Sequence, residues 1–251
     1  MIGTPWAEKQ NRVGIDLYWL PLGAGGYFVR LNGRIYEAIE ASLQRRPVYE
    51  LYHSALQVFV PEGRYVIEQA PVSDAEGLDR GVVAEGPVGV RWAGRFRIFR
   101  YEVRRWIDGV IPDLNEAVDS PRQLSNDLDQ ARRLLRVVPE VPTLVWGRDE
   151  LRAGEMWNSN SMISWMLTRV GLDAESIRPP AGGRAPGWHA GVVGARRMRD
   201  VGVRSLGRLT AKVSDISPRT GVRVPPRRAP AFRTQAIIGR VVPWTARRRR
   251  R

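Results

Sequence analysis

Residues 52–72 read YHSALQVFVPEGRYVIEQAPV, and the fold class turns on this stretch. Two runs rich in Val, Tyr, Phe and Ile flank Pro61-Glu62-Gly63-Arg64, a proline- and glycine-bearing turn composition, so the reading is a β-hairpin. Downstream, RFRIFRYEVRRW over 95–106 alternates Phe96, Ile98 and Val103 with arginines, as a strand with one solvated face does. Upstream, DLYWLPLGAGGYFVR over 16–30 gives a short extended segment broken by Gly23, Gly25 and Gly26. Together these predict an antiparallel sheet. With the hairpin centred between Glu62 and Gly63, residues whose numbers sum to 125 face one another, which sets Gln57 opposite Glu68 and His53 opposite Val72. His53 and Glu68 then share a face, whereas a slip of one residue would put Gln69 there instead.

Helical spacing accounts for much of the rest. RIYEAIEASLQRR over 34–46 carries Ile35, Ala38, Ile39 and Leu43 on one stripe with Pro47 beyond its end. After Pro112, DLNEAVDSPRQL and NDLDQARRLLRVV are expected to be helices covering the sheet, the second capped by Asn126 or Asp127. MWNSNSMISWMLTRVGL over 156–172 places Met162, Ile163, Met166, Leu167 and Val170 on an apolar stripe, with N-capping residues from Asn158 to Ser161 ahead of it and Gly171 behind. The sum is an α+β domain over residues 1–195.

Charge separates that domain from the C-terminal part of the chain. The 251 residues carry 40 basic and 26 acidic side chains, a net charge of +14. From Arg196 onward there are 17 basic and 2 acidic residues, whereas residues 1–195 hold 23 and 24. The basicity therefore belongs to an Arg/Pro-rich tail, 196–251, whose prolines and net charge predict disorder. Such a tail would bind nucleic acid or another anionic surface weakly, without sequence preference and with strong salt dependence. GC-rich coding or a change of reading frame explains the same composition. Eight of the nine tryptophans precede the tail, so the core material lies in the front domain.

Composition also excludes functions. With no cysteine, disulfides, thiolate metal sites and cysteine nucleophiles are absent, and two histidines, His53 and His189, are too few for an ordinary catalytic zinc site. The expectation is no cofactor and no metal. The chain start lacks the apolar run of a signal peptide, and the longest uncharged apolar stretch, around Trp157 to Thr168, is too short to span a bilayer. A cytoplasmic location is expected.

A serine opening a helix, with a histidine on a strand elsewhere, is what a nucleophile and its base require, because a helix N-terminus favours developing negative charge. Ser159 and His53 fill those places, and a carboxylate such as Glu68 beside the imidazole would fix its tautomer. The residues alone favour the plainer reading of an N-cap, a sheet histidine and a solvated glutamate.

The run from His53 through YVIEQAP resembles the circularly permuted papain-like superfamily, which includes relatives of NlpC-type peptidases and of lecithin:retinol acyltransferase. There a strand histidine precedes a hairpin, and an Asn-Cys pair opens a later helix. The match covers roughly residues 16–190, with Asn158-Ser159 where Asn-Cys would stand, and the front domain further resembles an actinobacterial group bearing NSNS at this helix start. The resemblance implies a permuted papain-like fold with Ser159 as nucleophile, His53 as base, Glu68 as orienting carboxylate, and Asn158 and Asn160 supporting the oxyanion. It implies either a hydrolase or acyltransferase acting on an amide or ester of a small molecule or peptide, or a pseudoenzyme that keeps the groove for binding. Serine in place of cysteine leaves both open, since a hydroxyl is far more basic than a thiol and must lose its proton during attack.

Overall fold

The strands form where β-branched and aromatic residues concentrate. In the computed structural model, residues 12–22, 49–72 and 81–200 are described; the helix expected over 34–46, the glycines after Leu22 and the tail beyond 200 lie outside them. By its contacts the chain divides into units Met1–Arg208 and Leu209–Arg251, and all described residues belong to the first. Strands β1 (Gly14–Pro21), β2 (Glu50–Val60), β3 (Gly63–Pro71), β4 (Val82–Pro87), β5 (Arg100–Ile107) and β6 (Val118–Ser125) form a sheet in the order β4-β5-β3-β2-β1-β6. Every neighbouring pair in that order is antiparallel, and a short β7 (Gly183–Arg184) adds a parallel pairing to the start of β2. Helices α1 (Leu128–Val137), α2 (Ser159–Arg169) and α3 (188–200) complete an α+β architecture.

The β2–β3 hairpin is centred one residue earlier than expected, which shifts the register by two. Val60 pairs with Gly63 and Gln57 with Val66, so partners sum to 123 and only Pro61 and Glu62 form the turn. Gly63 makes this possible by taking φ +145°, a conformation costly for residues with a Cβ. A shift of two residues preserves strand parity, so His53 and Glu68 remain on one face.

Two further expectations are corrected. Residues 113–124 are not a helix: a 3₁₀ turn at Leu114–Glu116 leads into β6, an edge strand where Pro121 costs no ladder hydrogen bond on its open side. The strand expected from Arg95 begins only at Arg100. Its flanking partners reach Pro71, opposite Tyr101, and Pro87, opposite Arg100; beyond them one further bond forms on each side, from the Val72 N–H to the Arg100 carbonyl and from the Val88 N–H to the Phe99 carbonyl, and the ladders stop there. Residues 91–99 instead form two 3₁₀ turns, Arg91–Arg95 and Arg97–Phe99.

Both faces of the central strands are buried. One face carries Leu17, Trp19, Leu56, Val58 and Ile67 into a core with Leu134 of α1, Met162, Ile163 and Met166 of α2, and Trp188 and Val192 of α3. The other carries Tyr18, Leu20, Ala55 and Val66 under Ile111, Leu114 and Ala117. Helix α3 runs through the expected boundary at 196, with Arg196 paired to Glu175.

Candidate functional site

Asn158 has extended backbone angles and caps α2. Its Oδ1 accepts from the backbone N–H of Asn160 (2.9 Å) and Ser161 (3.2 Å), while Ser161 Oγ accepts from the Asn158 N–H (3.1 Å), a reciprocal capping box. The remaining polar groups of the segment point into the protein. Ser161 Oγ donates to the Gly187 carbonyl at 2.7 Å and Asn158 Nδ2 to the Pro186 carbonyl at 2.8 Å. Asn160, 1% exposed, accepts from Ser54 Oγ and donates to the carbonyls of Tyr52 and Pro186, all at 2.9 Å. One asparagine thus ties three segments together: the first turn of α2, strand β2 and the loop before α3. Gly187 (φ +85°) is required here, since a Cβ would lie 2.5 Å from Asn158 Oδ1 and 2.7 Å from Ser161 Oγ.

Ser159 occupies the first position of α2, is 6% exposed, and makes no side-chain hydrogen bond among the described residues. Its hydroxyl is uncommitted, while the polar groups that follow it in the helix are engaged. The backbone N–H groups of Asn160 and Ser161 are spent on Asn158 Oδ1, and both Nδ2 hydrogens of Asn160 on carbonyls. These donors already have partners and are not free for an oxyanion.

His53 lies on the other side of the sheet from α2. Tyr52 and Ser54 meet the α2 layer through Asn160, so strand alternation turns His53 away, and its cross-strand neighbour is Leu20 of the second cluster. Burial pushes its imidazole down to about 4, the charge of Asp113 pulling the other way, so His53 is neutral at pH 7. Glu68 shares the His53 face but is bound elsewhere: Arg104, opposite it on β5, donates Nη1 to Glu68 and Nε to Glu102, each at 2.8 Å. No hydrogen bond joins His53 to Glu68 or to Ser159 among the described residues. The structure brings Asn158, Asn160 and Ser159 together and leaves His53 and Glu68 on the opposite face.

That face holds other polar groups which the sequence does not single out. Tyr18 Oη donates to Gln57 Oε1 at 3.1 Å, and Asp16 is paired with Arg12 through one oxygen while the other has no partner. Burial raises the Asp16 pKa against the opposing pull of Arg12. On the α2 face, Gln69 is buried with neither amide atom bonded. A run of apolar neighbours hides these positions, because each stands where a strand of this composition would carry an apolar residue. Among the described residues no group of three or more His, Asp or Glu is placed to hold a metal ion, and no helix is long and apolar enough to cross a membrane. Compared with protein-family models, curated proteins and solved structures, the chain matches none.

Proposed function

We propose that this chain is a non-catalytic binding module on a papain-like scaffold, with the Asn-Ser-Asn-Ser segment acting as a structural brace. The observation that carries the reading is the placement of His53: α2 packs on one face of β2 and the imidazole points to the other. A serine hydroxyl needs a base within hydrogen-bond reach to become a nucleophile. The commitment of the Asn160 and Ser161 N–H groups to Asn158 supports the same conclusion. The test is a serine-directed fluorophosphonate probe applied under conditions that label a known serine hydrolase; no labelling of Ser159 is expected.

A hydrolase or acyltransferase acting on an amide or ester is the second reading. It is favoured by the uncommitted Ser159 hydroxyl at a helix N-terminus. Labelling that disappears in both Ser159→Ala and His53→Ala would establish it.

A further inference from the structure

The segment between β4 and β5, RWAGRFRIFR over 91–100, inverts the usual order of burial. Its two 3₁₀ turns expose the apolar residues: Trp92 is 63% exposed, Ile98 83%, and Phe96 and Phe99 are also exposed. Four arginines and no acidic residue are interleaved with them. Large apolar side chains grouped this closely on a surface mark a place where something docks.

We propose that this segment is a membrane-docking element that inserts Trp92, Phe96, Ile98 and Phe99 into the interface of an anionic bilayer. It supplies a partner for the binding module proposed above and rests on that reading. Charge selects the occupant. Arg91 is matched by Glu150 and Arg100 by Glu85, but Arg95 forms no ion pair among the described residues. A second copy of the segment, or the tail from 201 with its 14 basic and 1 acidic residues, would bring like charge against it. The most exposed of these side chains, Ile98, then separates lipid from nucleic acid. The Arg95 guanidinium lies 5.4 Å from the Trp92 ring centre and 5.6 Å from that of Phe96. Ile98, the most exposed of the group, has no π-face at all and is suited to hydrocarbon. Aromatic and aliphatic side chains beside arginines whose stems run along them are the composition of interfacial anchors.

The experiment is sedimentation of the full chain with vesicles of phosphatidylcholine alone and of phosphatidylcholine with phosphatidylserine. Wild type is expected to sediment with the anionic vesicles. Ile98→Asp, at an exposed position and with an unchanged melting temperature, should lower the partition coefficient roughly tenfold or more, and the uncharged Ile98→Ser by less in the same direction. Arg95→Glu should reduce the preference for phosphatidylserine at least about fivefold, the contribution of one basic residue near such a surface. Absence of vesicle binding by wild type overturns the proposal. So does binding that Ile98→Asp leaves unchanged, which would place it on another part of the chain, or loop variants that weaken binding of a single-stranded oligonucleotide but not of vesicles. None of these outcomes resembles failure of the non-catalytic reading, which would show as labelling of Ser159.

Discussion

Asn160→Ala removes the side chain that joins α2 to β2 and to the loop before α3, and its cost is set by the atoms left behind. Pro186 O keeps a partner in Asn158 Nδ2, but Ser54 Oγ loses its acceptor and the Tyr52 carbonyl its donor. Each newly unsatisfied buried group costs about 1–3 kcal/mol, so the substitution should destabilise by about 4 kcal/mol. For a domain of this size that corresponds to a fall in melting temperature of roughly 8–16 °C. Ser159→Ala is the matched control: it removes a hydroxyl with no partner, and a change within about 0.5 kcal/mol is expected. Urea unfolding of the two variants, with the slope unchanged, measures both. If Ser159→Ala proved as costly as Asn160→Ala, or Asn160→Ala cost under about 1 kcal/mol, the brace interpretation would fail.

Other outcomes are expected from the same structure. The folded state holds His53 down to about 4 against an ordinary value of 6.5, so the unfolded chain binds more protons between those values and stability falls as pH drops through that window. The loss should approach about 3 kcal/mol near pH 4, and His53→Leu should flatten that part of a pH-stability curve; an unchanged curve would mean the imidazole is not buried neutral. Arg104→Met strips the guanidinium from two buried carboxylates, Glu68 and Glu102. A destabilisation of about 3 kcal/mol or more is expected by thermal unfolding. Gln69→Met replaces an unbonded buried amide with an apolar side chain of similar size and should raise stability by about 1–2 kcal/mol, while a loss would reveal a partner for Gln69.

The hairpin is legible in the sequence because alternation and turn residues agree over 52–72, and parity survives the two-residue shift since a strand repeats every two residues. The side of the sheet facing α2 is not legible. Both faces of β2 are buried, so Ser54 and His53 have equally apolar neighbours and no wet face betrays the orientation. Residues 113–124 resemble a helix in sequence because Leu114, Ala117 and Val118 fall at helical spacing, although Pro121 sits in their midst. In 95–99 the alternation is genuine but its meaning is reversed, the apolar set facing outward in 3₁₀ turns that lie before the pairing with β3 and β4 begins. The capping role of Asn158 is legible locally; the reach of Asn160 to Ser54, across 106 positions of sequence, depends on the tertiary fold.

The α2 N-terminus and the His53 imidazole do not act on one atom, and the titration of a thiol placed at position 159 tests this most directly. Substituting Ser159→Cys, labelling the carbon that bears the new thiol with ¹³C and titrating it by NMR, with and without His53→Ala, requires no access by a reagent. A thiol paired with a neighbouring imidazole has its pKa lowered well below about 8.5, and loss of the imidazole returns it. Independence of the introduced thiol's titration from residue 53 is the predicted result. A rise of about one unit or more on His53→Ala would contradict it.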